Sequence, residues 1–259
     1  MRVGEIEIVP VSDGPGKLPS AYMTNSDWSA HKDLLDADGN FDIQIGCFLV
    51  RTKDMTVLID AGLGPMEFGP FKGGQLPGKL AAAGVKPADI DLVLLTHLHL
   101  DHIGWVVRDD EPYFPNARVR FGEKDLDQFV RTDNPDFVAA PMVATLEARG
   151  LADPITSDGQ IAPGISTLHA PGHTLGHRCV VISSGDQRAF LLGDVIGCPV
   201  QIEEEEWGAM SDVDPKLAKR TRETLWKELE GTEDLVTAAH FSELQFGRIL
   251  RGQGKRYFA

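Results

Sequence analysis

Apolar and polar positions along this 259-residue chain change rhythm several times. Near the start, Val3, Ile6 and Ile8 stand among Arg2, Glu5 and Glu7, a period-two pattern that predicts a strand at Ile6–Val11 with one buried face. The runs Ile43–Val50 and Thr56–Ile59 predict two more strands, the second closing on Asp60-Ala61-Gly62-Leu63-Gly64. A loop rich in Gly and Pro is expected from Gly62 to Gly78, with a short helical piece at Leu80–Ala83. Asp91-Leu92-Val93-Leu94-Leu95 is apolar without alternation, as in a strand covered on both faces.

The rhythm turns helical between Glu123 and Gly150, where Leu126, Phe129, Val130, Phe137, Met142, Val143 and Leu146 recur at three-to-four spacing. Strands are expected again at Ile165–His169, Cys179–Ser183, Ala189–Leu192 and Leu235–Ala239. Before the last of these, Asp214 as N-cap and Pro215 at the first position open an amphipathic helix running to Leu229. Strands and helices thus alternate in both halves. Val57-Leu58-Ile59-Asp60 and Phe190-Leu191-Leu192-Gly193-Asp194 are similar apolar strands ending in aspartate, an echo that suggests a duplicated core. No compositional break marks a linker, so residues 1–259 are read as a single domain of two packed sheets with outer helices.

Composition narrows the function. With 25 basic against 39 acidic residues the formal charge is −14, a poor surface for phosphate backbones, whose binding needs Lys and Arg. Cys47, Cys179 and Cys198 form no C-x-x-C pair and suggest no disulfide framework. Without a signal-like leader or a long apolar run, a cytoplasmic location is expected. The partners expected are a small-molecule substrate and neither nucleic acid nor membrane; a homodimer is the one assembly considered.

The densest chemistry is Thr96-His97-Leu98-His99-Leu100-Asp101-His102, directly after the buried strand. His and Asp are costly to bury without partners, so three imidazoles and a carboxylate in six positions point to a metal site. If the chain is still extended there, His97, His99 and Asp101 share one side, while His102 turns toward a neighbouring position as a helix begins at Ile103. Neutral imidazole with carboxylate oxygen suits zinc, and also iron, manganese or cobalt. His173 in Ala170-Pro171-Gly172-His173-Thr174, Asp194 after Gly193, and His240 after Ala239 each follow an expected strand, where rigid scaffold meets loop. His31, His169 and His177 are read as packing or hydrogen-bonding residues, Cys198 as a buried thiol, and Glu203–Glu206 as a solvated loop. Phe71, Trp105, Trp207 and Phe241 lie in or near loops that could wall a pocket, with core packing as the alternative.

In this order, the H-x-H-x-D-H run, P-G-H-T, G-D and the late histidine resemble the metallo-β-lactamase superfamily from about Val57 to Phe241. The pattern is closest to its acyl-homoserine lactonase, arylesterase and organophosphate hydrolase-like group. The resemblance implies an α/β fold, the αββα sandwich of two mixed β-sheets with outer helices, and a two-metal site on one edge. It implies that His97, His99 and His173 hold one divalent ion, that Asp101, His102 and His240 hold the other, and that Asp194 bridges them. Zn2+ is the expected metal, with Fe, Mn or Co as alternatives. Asp60 would orient a ligand histidine; capping the following turn is its other reading.

Two such ions about 3.5 to 4 Å apart lower the pKa of a shared water to about 7 and polarise the substrate oxygen. The expected function is therefore a dinuclear metal hydrolase using a bridging hydroxide on a small lactone or ester, with Asp101 passing a proton to the leaving group. No serine nucleophile of the G-x-S-x-G kind is present. The alternatives are an organophosphate or other phosphoester hydrolase on the same site, or an iron-dependent oxidoreductase of the same fold. One departure from the lactonase pattern stands out: Val195-Ile196-Gly197-Cys198 carries no tyrosine after Asp194.

Overall fold

In the computed structural model, which describes residues 1–259, two mixed sheets pack face to face with helices on both outer sides. The larger sheet runs, edge inward, Ala152–Ile155, Arg118–Gly122, Leu92–Leu94, Thr56–Ile59, Asn40–Arg51 and Ile6–Pro19, and ends in a small hairpin of Glu67–Phe68 and Phe71–Lys72. The smaller runs Gly159–Ala162, Ile165–His169, Arg178–Ser184, Gln187–Leu191 and Leu235–Thr237. Thr56–Ile59, Leu92–Leu94, Arg118–Gly122 and Ala152–Ile155 pair in parallel, as do Gln187–Leu191 and Leu235–Thr237.

Alternate side chains of the inner strands go to different cores. Val57, Ile59, Leu92 and Leu94 meet Ile165, Val180, Ile182 and Leu191 between the sheets. Leu58 and Val93 face outward onto the helices Leu76–Ala82 and Ala139–Ala148. On the far side, Cys179, Val181, Phe190 and Val236 receive Leu225, Trp226 and Leu229 of the helix Pro215–Leu229. This double coverage explains why these strands read as unbroken apolar runs. The helix Pro215–Leu229 has the expected cap: the Asp214 side chain accepts from the Leu217 amide.

Several elements differ from the sequence expectation. The first strand continues through the turn-like stretch Ser12-Asp13-Gly14 to Pro19, because a bulge between Ser12 and Gly14 absorbs it. The stretch 62–78 is not all loop: it holds the small hairpin, and the helix begins at Leu76, with Pro77 in its first turn. The helical region after Glu123 is broken into Glu123–Asp125, a wider-turned Leu126–Val130 and Ala139–Ala148. Ala152–Ile155 contains Pro154 and sits at a sheet edge, the place a strand tolerates proline. The C-terminal hairpin of Ile249–Gly252 and Lys255–Phe258 has no counterpart in the expected elements. No helix is long and apolar enough to cross a membrane.

Candidate metal centre

The strand Leu92–Leu94 delivers its following residues to one edge of the sandwich. The chain stops being extended earlier than the alternation argument assumed. His99 is the N-cap of a short helix, Leu100–Ile103, so Asp101 and His102 leave the side that His97 and His99 share. His97, His99, His173 and Asp194 form one group of converging donor atoms, and Asp101, His102 and His240 form a second. Within the first, His99 Nδ1 lies 3.0 Å from both His97 Nε2 and His173 Nε2. Asp194 spans the two: its Oδ2 is 3.3 Å from His173 Nε2 and 3.1 Å from His240 Nε2, and its Oδ1 is 3.3 Å from His102 Nε2. Asp101 Oδ2 is 3.4 Å from His240 Nε2.

Acceptors on the far side of the rings fix which nitrogen faces inward. The Thr96 hydroxyl donates to Asp60, which leaves its oxygen to accept from His97 Nδ1 at 3.0 Å. His102 Nδ1 meets Asp60 Oδ2 at 2.9 Å, His173 Nδ1 meets Asp212 Oδ1 at 3.2 Å, and His240 Nδ1 donates to the Gln44 carbonyl at 2.8 Å. With their Nδ1 protons held outward, His97 and His173 present Nε2 lone pairs to His99. At most one of the two contacts at His99 Nδ1 can then be a hydrogen bond. Lone pairs crowded this closely repel unless a cation lies among them.

Two further observations fit divalent ions to these residues. His102 Nε2 and Asp194 Oδ1 are buried and engaged in no hydrogen bond, although they lie 3.3 Å apart. Buried polar atoms without partners are rare, and both would be satisfied as ligands. The charge distribution agrees. Burial disfavours protonation of His102 and His240, yet the carboxylates around them outweigh it: Asp194, Asp60 and Asp101 hold His102 well above the usual histidine range, and Asp194 with Asp101 pushes His240 up to about 9. Positive charge is therefore favoured there. Burial, aided by the neighbouring imidazoles, holds His97 and His99 low, the latter at about 3, as neutral imidazoles suited to coordination.

Asp60, which the sequence reading set to orient a ligand histidine or to cap its turn, sits in the left-handed region with φ 58° and receives the Thr96 amide at 2.7 Å as well as His102. Three carboxylates absent from the sequence reading also shape the site: Asp125, Asp212 and Asp13. Buried Asp125 accepts from the Leu98 amide, the Thr174 hydroxyl and the Gly176 amide, tying the two histidine-bearing loops together. Burial pushes its carboxyl up to about 6. Asp212 holds His173 and is itself approached by Arg222. Asp13, at the bulge, accepts from the amides of Leu63, Gly64, Gly74 and Leu76 and from the Trp105 indole. Their surroundings in sequence, such as Glu123-Lys124-Asp125, look like solvated charge, and only the fold reveals their burial.

The remaining histidines lie outside both donor groups. His177 Nε2 accepts from the Asp194 amide at 3.0 Å, packed so close to Gly193 that a Cβ there would sit 2.6 Å from this nitrogen. His169 faces the Leu175 carbonyl, and His31 lies 3.4 Å from Glu204. Among the aromatics, Trp105 and Phe241 are core, and Trp207 is buried against Trp28, whereas the Phe71 ring lies 6.4 Å from that of His240. A phenol also approaches from the N-terminal segment. Tyr22 meets Ser211, the neighbour of Asp212, at 2.5 Å, and burial together with the charges of Asp194, Asp101 and Asp212 holds it protonated.

A model of the metallo-beta-lactamase superfamily matches residues 42–240. The N-acyl homoserine lactonase AiiB of Agrobacterium fabrum (strain C58 / ATCC 33970) is 29% identical over 176 residues, 58% of this chain and 62% of that protein. This match spans less than two thirds of that relative's length. An N-acyl homoserine lactonase of a Bacillus species is 24% identical over 222 residues, 78% of this chain and 84% of that protein. The structure of AidC, a dizinc quorum-quenching lactonase in complex with a product, superposes with a TM-score of 0.88 at 24% identity, over 100% of this chain and 95% of that one. This last likeness is one of fold. Because the family model spans most of the sequence and both donor groups bar none of their residues, the chain belongs to the metallo-beta-lactamase superfamily.

Proposed function

We propose that this protein is a dinuclear metal hydrolase that opens small lactones or related esters, with zinc as its metal and the cytoplasm as its compartment. The observation that carries the reading is Asp194, one buried carboxylate within 3.3 Å of imidazole nitrogens from both donor groups. His97, His99 and His173 would hold one ion, Asp101, His102 and His240 the other, with Asp194 shared. When bound, such a pair would supply a nucleophilic water at neutral pH and polarise the scissile carbonyl.

The chain's own residues have distinct tasks in this scheme. Asp60, Thr96, Asp212 and the Gln44 carbonyl hold the imidazoles in the orientation that leaves their lone pairs free. Asp101, with 17% of its side chain exposed against 7% for Asp194, stands nearer the solvent and passes a proton to the departing oxygen. Three free, buried cysteines accord with a reducing compartment. That the curated relatives are lactonases favours lactones over phosphoesters and over iron-dependent oxidation.

Turnover of a lactone and aryl-ester panel by metal-loaded protein, beside His99→Ala, tests this. The expected result is lactone opening that chelation abolishes and that the variant lacks. Absence of metal-dependent activity on every lactone and aryl ester would overturn it.

A further inference from the structure

The helix Pro215–Leu229 buries Ala218, Arg222, Leu225, Trp226 and Leu229, a stripe at helical spacing that packs on the outer face of the smaller sheet. Arg222 is the exception in this stripe. A side chain only 5% exposed carries a full charge at a position where an apolar residue would pack without losing hydration.

Two acceptors meet one nitrogen of this side chain. Arg222 Nη1 donates to the Val195 carbonyl at 3.4 Å and lies 3.5 Å from Asp212 Oδ2. The other oxygen of Asp212 faces His173 Nδ1 at 3.2 Å, and Val195 directly follows Asp194. The same helix supports the backbone around His173. The Thr221 hydroxyl donates to the Pro171 carbonyl at 2.6 Å, and at the helix entrance the amides of Val213 and Asp214 donate to the carbonyls of His173 and Gly172. Gly172 has φ 134°, and a Cβ there would lie 2.2 Å from the Ala218 nitrogen, so the loop sits directly on the helix.

We propose that Arg222 is a positioning residue for the metal centre: through Asp212 it orients His173, and through the Val195 carbonyl it fixes the chain at the foot of Asp194. The proposal rests on the metal-binding part of the hydrolase reading and on no particular substrate. A cation on one oxygen of Asp212 keeps the other directed at the His173 ring, which sets the direction of the Nε2 lone pair. Because both acceptors share one nitrogen, the three donors of a lysine ammonium can stand in for the guanidinium, whereas methionine fills the volume with neither charge nor donor. His102, held by Asp60 of the larger sheet, lies outside this chain of contacts.

Zinc affinity, read by competition with a chromogenic chelator, tests this. Arg222→Met should weaken binding by about tenfold or more, and Arg222→Lys should recover most of the loss. In proton NMR of the zinc-loaded protein, the His173 Nδ1 proton should shift in Arg222→Met while that of His102 stays in place. Leu225→Ala opens a cavity in the same helix face, makes none of these contacts, and should alter neither readout. Arg222→Gln keeps a donor without the charge; it should show the same changes in smaller measure and carries the test where Arg222→Met does not fold. Affinity and resonances that match the unaltered protein, Arg222→Lys no better than the neutral variant, or an equal loss in Leu225→Ala overturns the proposal while leaving the hydrolase reading intact. Weakened zinc binding in Arg222→Met of a protein that opens no lactone supports the positioning role and overturns the hydrolase reading alone. A protein that binds no divalent metal overturns both.

Discussion

Asp60 shows how much of this site depends on single side chains that touch no substrate. One carboxylate receives the Thr96 amide and hydroxyl and His102 Nδ1, so it sets two imidazoles at once, His97 through Thr96 and His102 directly. Asp60→Asn keeps the shape but replaces one acceptor oxygen by a donor. Metal affinity should fall by about 10- to 100-fold, more at the group containing His102, as read by competition with a chromogenic chelator. Unchanged affinity would mean that Asp60 only closes its turn. At this scale the sequence was informative where the chemistry was concentrated: His97, His99, Asp101 and His102 stand out because no packing rule asks for them. Asp125, Asp212 and Asp13 were illegible because a carboxylate beside lysine or serine in sequence looks solvated, and burial is a property of the fold.

Among elements, the decisive connection runs between the loop after Leu92–Leu94 and the loop at His173. Asp125, just inside its own helical segment, joins them through Leu98, Thr174 and Gly176. Asp125→Ala strands three buried donors and should cost about 3 kcal/mol, with relief of the buried charge returning part of it. Chemical denaturation should show a lower midpoint with an unchanged slope; an unaltered midpoint would show that the loops hold their places without it. Inner strands were legible from their apolar runs, and the cap Asp214-Pro215 located a helix. The continuation of the first strand past Ser12 was not, because a bulge and a turn share the same residues until a partner strand is known.

For the molecule as a whole, the two donor groups join its halves. His97, His99, Asp101 and His102 follow a strand of the larger sheet, whereas His173, Asp194 and His240 follow strands of the smaller one. Ions held between them would act as cross-links that only the folded state can form. If each is bound about a thousandfold above its dissociation constant, removal costs about 4 kcal/mol per site, and the melting temperature should drop by about 10 °C or more. Zinc should restore it. A melting curve indifferent to verified metal removal would mean that packing alone joins the sheets. The sandwich itself was readable from alternating elements and from the order of the motifs, while the pairing of its edge strands and the C-terminal hairpin were not, since nothing local specifies a neighbour.

The family model ends at residue 240 and begins at residue 42, whereas Trp28, His31, Asp33, Leu34 and Phe41 precede that span and Ser242, Gln245 and Phe258 follow it. The donor atoms thus all fall inside the matched span, whereas a pocket beside His240 is walled partly from outside it and partly, by Asp42, Cys198, Pro199, Val200 and Glu203, from within. The inner stretch carries every donor atom, while the first flank supplies Asp13, whose carboxylate ties Leu63, Gly64 and Trp105 together. Substitutions among the flanking wall residues Trp28, Leu34 and Phe258 can therefore reshape that space while every donor atom is kept.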